Sequence, residues 1–283
     1  MFSRIQTRYF RSLKAVDQPL GSVQALVGPN ASGKTTFLDV LGLLSDLVRN
    51  RGDVRETIQS RSASFDKLIW QGPGEDKGQR GGFQIAVEAP IPESVRARMA
   101  DDKRQFTTVR YEIEIGFDAS TNEIGLDHET LWLRASGEDQ ISVQKDMFPM
   151  VPEDAPSIFV GTSKRGFKVV MKKTPGGNDN YYTEGAKSYA PSFRLGRTKL
   201  GLAHIPADEA SFPVSSWFRD MLEKGVQNVC AEQPDHSPTQ PARVGLALSI
   251  QWLQSTLGGC GAAARHAAIC GLAGACAHGF GRH

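Results

Sequence analysis

Apolar residues recur at helical spacing after residue 36, and this stripe predicts a long helix. Its members are Phe37, Leu38, Leu41, Leu44, Leu47 and Val48. The Asn50-Arg51-Gly52 segment predicts the stop, because glycine is the usual residue just beyond a helix C-terminus. Before the helix, residues 23–27 form a short run of mostly apolar residues that predicts a buried central parallel strand. The pattern therefore predicts a strand, a connecting loop and a helix in that order.

Further along the chain, apolar and polar residues alternate as they do in strands. Within residues 107–117, Tyr111 and Ile113 fall on one face, and Glu112 and Glu114 fall on the other. We predict strands at 83–87, 107–117 and 129–133, a turn at 118–125, a hairpin of 157–160 with 167–171, and helices at 53–60 and 215–224. This pattern indicates an antiparallel β subdomain beside the first strand and helix.

The loop between the first predicted strand and helix carries the most specific motif in the chain. It reads Gly28-Pro29-Asn30-Ala31-Ser32-Gly33-Lys34-Thr35-Thr36, which fits the phosphate-loop pattern G-x-x-x-x-G-K-[ST]. The glycines let backbone N–H groups point inward at a phosphate, and the helix N-terminus favours the same anion. We expect Lys34 to reach the β- and γ-phosphates and the Thr35 hydroxyl to bind Mg²⁺. The motif predicts a site for ATP and Mg²⁺.

Three segments around this loop resemble those of SMC/RecF/OLD-type ATPases, within the wider ABC class, and of bacterial predicted AAA ATPases. They read Phe10-Arg11-Ser12 before the loop, Phe37-Leu38-Asp39-Val40-Leu41 after it, and Phe65-Asp66-Lys67-Leu68-Ile69-Trp70 further on. The resemblance extends to about Gly72. It implies an α/β fold with a P-loop NTPase sheet core, an antiparallel β subdomain and a C-terminal lobe that is incomplete here.

The resemblance also implies functional residues and partners. Arg11 stands where this family places a basic residue that contacts the nucleotide, although a surface strand arginine is an equal alternative. Gln71 lies in the interval that holds the glutamine of the ABC Q-loop, although a solvated turn residue is the simpler interpretation. The implied reaction is ATP hydrolysis in a homodimer formed through the nucleotide site. DNA maintenance and phage defence are the processes implied.

Hydrolysis also requires an acidic residue on the metal side, and the sequence offers a poor candidate. Asp208 and Glu209 follow a short apolar stretch, but Pro206 would interrupt a central strand. The Leu-Ser-x-Gly signature segment of ABC ATPases is absent. A nucleotide-binding remnant without catalysis therefore remains an alternative. A small-molecule kinase is a further one, which would need an arginine-rich lid and an acceptor site.

The composition changes character after Val229. All four cysteines lie beyond it, and the stretch also holds four of the six histidines. Zinc binding is disfavoured because no Cys-x-x-Cys or His-x-x-x-His pair is present. A loosely folded Ala/Gly-rich extension and a frameshifted continuation remain open, and we favour the frameshift. We predict an ATPase lobe over residues 1–229 and an anomalous tail over 230–283.

Charge and hydropathy restrict the partners further. The formal net charge of +2 does not by itself indicate a nucleic-acid or membrane partner. No run is long and apolar enough for a membrane span, so we expect a cytoplasmic protein without a membrane partner. A group of basic residues is a candidate DNA surface, although a solvated hairpin face explains it more simply. It comprises Lys164, Arg165, Lys168, Lys172 and Lys173.

Overall fold

The computed structural model describes residues 1–72, 81–136, 157–160, 165–174, 176–185 and 189–227. All of them lie in one compact unit, Met1–Trp252. The predicted tail and domain boundary at residue 230 fall outside these ranges and stay predictions.

An eight-stranded sheet with the order β2-β1-β3-β4-β5-β6-β7-β8 is the main element of the fold. Every ladder in the described residues is antiparallel. The strands are β1 (Arg4–Phe10), β2 (Leu13–Pro19), β3 (Gly82–Pro90), β4 (Phe106–Asp118), β5 (Glu123–Ala135), β6 (Phe167–Lys173), β7 (Asp179–Tyr181) and β8 (Ser192–Phe193). The three strands predicted at 83–87, 107–117 and 129–133 correspond to β3, β4 and β5, so the antiparallel subdomain is confirmed.

Four α-helices accompany the sheet in the described residues. They are α1 (Lys34–Arg49), α2 (Val54–Arg61), α3 (Glu93–Arg96) and α4 (Pro213–Gly225), and 3₁₀ turns cover Phe65–Leu68, Asp101–Lys103 and Leu202–His204. The helix predicted from the apolar stripe is α1, and Gly52 lies just beyond it with φ of 71°. The predicted helices at 53–60 and 215–224 correspond to α2 and α4. The α/β class is therefore confirmed, and the arrangement is consistent with a P-loop NTPase core.

The hydrophobic core lies between one face of the sheet and the helices. Phe218 on α4 contacts the ring of Tyr111 on β4, with centroids 5.7 Å apart, and both side chains are fully buried. Arg49 near the end of α1 donates hydrogen bonds to the carbonyl oxygens of Glu223 and Val226, at 2.6 and 3.0 Å. The core therefore joins the helix after the phosphate loop to α4, although the two are far apart in sequence.

The strand predicted at residues 23–27 is not formed. This segment pairs with no described strand, and Val23 and Val27 are 89% and 93% exposed. A central parallel strand is buried only when neighbouring strands cover it on both sides. The described sheet contains antiparallel ladders alone, so this segment has no parallel neighbour within the described ranges.

The hairpin predicted between 157–160 and 167–171 is also wrong. Strand β6 pairs with β5 and β7 instead, and residues 157–160 form no strand. They lie against the polar face of the sheet, where the Ile158 carbonyl accepts a hydrogen bond from Arg110. The Val160 amide donates to Glu112, and the Phe159 ring stacks on His128 with centroids 4.2 Å apart. Buried charges on β4 thus determine where this segment lies.

Candidate functional site

The phosphate loop ends at the first turn of α1. Gly33 is the residue before the helix and has φ of 87°, a conformation that glycine adopts without steric cost. Ala31 also has positive φ, at 64°, which costs a residue with a Cβ about 1–2 kcal/mol. Residues 28–32 are exposed, and the free N–H groups of the first turn begin directly after them. The loop therefore lies open to an anion at a helix N-terminus.

Lys34 is folded back onto this loop. Its Nζ donates hydrogen bonds to the carbonyl oxygens of Gly28 and Pro29, at 2.8 and 2.6 Å, and to Ser32 Oγ at 3.2 Å. The ammonium group thus lies inside the loop, close to where a phosphate would bind. Thr35, the expected Mg²⁺ ligand, is exposed beside it.

The turn between β1 and β2 packs against the end of the phosphate loop and the start of α1. Ser12 Oγ donates to Thr36 Oγ1 at 3.0 Å. A Cβ built on Gly33 would lie 2.8 Å from Leu13 Cδ2 and 3.2 Å from Ser12 Oγ, so a larger residue there would require these side chains to shift. The Phe10-Arg11-Ser12 segment quoted for the family resemblance is therefore in contact with the start of α1.

Arg11 lies in that turn with positive φ, at 48°, and its side chain reaches α1. Its Nη1 is 3.0 Å from Asp39 Oδ2. Asp39 is shared, because Arg61 Nη1 donates to its Oδ1 at 2.6 Å, and Arg61 Nε donates to Asp46 at 3.0 Å. The structure thus brings Arg11 within about one helical turn of Thr36. Sequence reasoning missed the roles of Ser12, Asp39 and Arg61, because partners more than twenty residues apart leave no periodic signal.

Gln71 is not brought into contact with the phosphate loop by any hydrogen bond of the described residues. Its side chain is exposed, and its Nε2 donates to the carbonyl oxygen of Asp66 at 2.9 Å. The preceding residues Ile69 and Trp70 pair with the end of β1. Gln71 therefore lies near the same end of β1 as Arg11, with its amide used inside its own turn.

The acidic candidates from the sequence lie in other parts of the fold. Asp208 accepts hydrogen bonds from Ser211 Oγ at 2.6 Å and Tyr189 Oη at 3.1 Å, in a turn before α4 rather than at a strand end. Glu209 is largely exposed near Arg98. In the described parts of the chain, no cluster of three or more His, Cys, Asp or Glu side chains could hold a metal ion.

The Asp127-His128-Glu129 segment lies inside β5. Glu129 is fully buried and accepts hydrogen bonds from the amides of Gly201 and Leu202 and from Tyr111. Burial raises the pKa of this carboxyl above its ordinary value. Its contacts show a structural role, which attaches the 201–202 turn to the sheet.

The candidate DNA surface is not a continuous basic face. Lys173 is buried, and its Nζ lies 2.6 Å from Asp179 Oδ1, while Lys168 lies 3.8 Å from Asp102. Lys164 lies outside the described residues. Two of the five lysine and arginine side chains are thus partly neutralised by acids.

Comparison with known proteins locates the resemblance in the same part of the chain. Residues 23–150 match the family model of an AAA domain, described as a putative AbiEii toxin of a type IV toxin–antitoxin system. The OLD nuclease of Thermus scotoductus is 42% identical over 60 residues, which are 21% of this chain and 10% of that protein. The phosphate import ATP-binding protein PstB of Mycobacterium intracellulare is 32% identical over 116 residues, 40% of this chain and 38% of that protein.

Part of the chain is thus similar to ABC/OLD-like AAA ATPases. This confirms the family resemblance drawn from the phosphate loop and its flanking segments. The chain spans about a tenth of the length of the OLD nuclease and about four tenths of that of PstB. These matches support a resemblance to an ATP-binding class of ATPases. Within the described residues, no helix has the length and apolar character needed to cross a membrane.

Proposed function

We propose that this chain binds MgATP through residues 28–36. The observation that carries the proposal is the open loop at the N-terminus of α1, with Lys34 Nζ already inside it. A phosphate offers stronger acceptors to this ammonium than two backbone carbonyl groups do. ATP would therefore displace the internal hydrogen bonds, and the Thr35 hydroxyl would then bind Mg²⁺.

Arg11 is the second cationic group in this proposal, and Gln71 is a weaker candidate. The turn that carries Arg11 touches the start of α1, and its guanidinium pairs with Asp39 about one turn further along that helix. Gln71 would have to release its hydrogen bond to Asp66 before it could reach the nucleotide. We therefore expect Arg11→Ala to weaken nucleotide binding more than Gln71→Ala does.

ATP hydrolysis in a homodimer, with a role in DNA maintenance or defence, is the family-level extension of this proposal. The alternative is nucleotide binding without turnover. The placement of Asp208 in a turn favours this alternative for the described residues, since they then lack an acid at a strand end beside the loop.

Equilibrium binding of MgATP to the full chain and to Lys34→Ala tests the proposal. We expect the substitution to weaken binding at least about tenfold, because it removes a charge-assisted contact to phosphate. Lys14→Ala is a matched control, since it removes a lysine that lies over the Trp70 ring instead. Equal affinity of the wild type and Lys34→Ala would refute the site. Phosphate release by the same proteins then separates an ATPase from a binding remnant.

A further inference from the structure

The two arginines that share Asp39 hold it in different ways. Arg61 makes a short hydrogen bond of 2.6 Å to Oδ1, and its own side chain is only 14% exposed. Arg11 is 32% exposed and lies 3.0 Å from Oδ2 as an ion pair only, because Oδ2 accepts no hydrogen bond from the described residues. Asp39 is therefore held mainly by Arg61, and its contact with Arg11 is the weaker of the two.

Lys34 and Arg11 are thus both bound to acceptors of the protein itself. Lys34 is held by the loop carbonyls, and Arg11 is held by Asp39. A nucleotide phosphate would have to compete with these acceptors. When Arg11 leaves, Asp39 keeps its hydrogen bond to Arg61, so the separation leaves no unpaired carboxylate in a half-buried position.

We propose that Asp39 sets the affinity for the nucleotide by competing with its phosphates for Arg11. Asp39 is a positioning residue in this scheme, because it acts through Arg11 and does not touch the nucleotide. Arg61 anchors Asp39 during the exchange. The inference rests on the proposed function, since it requires a nucleotide at residues 28–36.

The expected effect has a definite sign. Removing the charge of Asp39 releases Arg11 for the phosphates, so Asp39→Asn binds MgATP more tightly than the wild type. Because the ion pair is partly exposed, the gain is limited to about fivefold, the equivalent of about 1 kcal/mol. The asparagine still offers an oxygen to Arg61, which also keeps Asp46, so the substitution preserves the packing of α2 on α1.

The test is a double-mutant cycle measured by titration calorimetry with MgATP on the full chain. It compares the wild type with Asp39→Asn, Arg11→Ala and the double variant. We expect Asp39→Asn to tighten binding about three- to fivefold when Arg11 is present and less than about twofold in the Arg11→Ala background. Asp46→Asn is the matched control, because it removes a carboxylate of the same helix that pairs with Arg61 but not with Arg11. Equal thermal unfolding midpoints verify that each variant is folded.

Each outcome separates the two proposals. Weaker binding by Asp39→Asn, or an equal gain with and without Arg11, would overturn the competition and leave the nucleotide site intact. An equal gain from Asp46→Asn would assign the effect to net charge and would also overturn it. Failure of the wild type to bind MgATP, with no difference from Lys34→Ala, would refute the proposed function and this inference together.

Discussion

Glu184 should make the stability of this protein depend on pH. Its carboxylate is fully buried and lies at the N-terminus of α4, where it accepts hydrogen bonds from the amides of Val214 and Ser215 and from the Ser215 hydroxyl. Burial disfavours the charged form more strongly than these donors favour it, and it raises the pKa of Glu184 to about 7. An unfolded glutamate has a pKa near 4.5.

The direction in which the free energy of unfolding changes with pH follows from proton binding. Between these two pKa values the folded protein holds a proton on Glu184 that the unfolded chain has released, so the free energy of unfolding falls as pH rises. The contribution is complete below about pH 4.5 and is lost as pH rises through about 7. A shift of this size corresponds to about 3 kcal/mol, because each unit of pKa is worth about 1.4 kcal/mol.

Urea unfolding of the wild type and Glu184→Gln across this range measures the effect. Glutamine cannot ionise, so the wild type should lose about 3 kcal/mol relative to the variant between about pH 5 and about pH 8. The test depends on how the difference in unfolding free energy changes with pH. Replacing the carboxyl group with an amide also changes the hydrogen bonding, but by the same amount at every pH. Glu209→Gln, at a largely exposed carboxyl, should give no such slope. A pH-independent difference for Glu184→Gln would show that the three donors outweigh burial, and the reasoning would be refuted.

Two further substitutions test what holds the fold together. Arg110→Met leaves Glu88 and Glu112 buried without their shared guanidinium. It should therefore lower the free energy of unfolding in urea by about 3 kcal/mol or more. Arg104→Met removes an exposed ion pair and should lower it by less than about 1 kcal/mol. Similar losses from the two would contradict the buried network. Asp53→Ala removes the side-chain cap of α2 and should cost about 1 kcal/mol, whereas Asp53→Asn should keep most of it. A loss shared equally by both Asp53 variants would assign the effect to the ion pair with a lysine instead of the cap.

The sequence predicted the local elements well, because periodicity and end signals are properties of neighbouring residues. Helix α1 follows from its apolar stripe and from Gly52, and α2 begins directly after Asp53, a good N-cap residue. Strand β4 follows from the alternation around Tyr111. The same reasoning treated Glu112 as part of a polar face, yet its side chain is fully buried. Its partners Arg110, Trp132 and Val160 come from three segments, which a strand pattern cannot combine.

The prediction of a strand at residues 23–27 was wrong for a related reason. Its apolar composition is typical of a buried strand, but burial is supplied by neighbouring strands and not by the segment itself. The glycine–lysine motif, in contrast, was informative because its chemistry resides in consecutive residues. The positive φ of Gly33 and the position of the Lys34 ammonium within the loop are local features of this motif, while the contact of Arg11 with Asp39 required the folded chain.

The support of the phosphate loop therefore comes from the β1–β2 turn and α1 in the described residues, not from a strand beneath it. Ser12 donates a hydrogen bond to Thr36, and Leu13 and Ser12 pack so closely on Gly33 that a methyl group there would require their side chains to shift. Tyr9 near the end of β1 and Arg11 in the turn both have positive φ, a strained conformation for residues with a Cβ, and such strain persists only where surrounding contacts hold it. Any shift of the turn would move Arg11 and the start of α1 together. The turn thus contacts the start of α1 through Ser12 and Leu13, while its Arg11 pairs with Asp39 on the same helix.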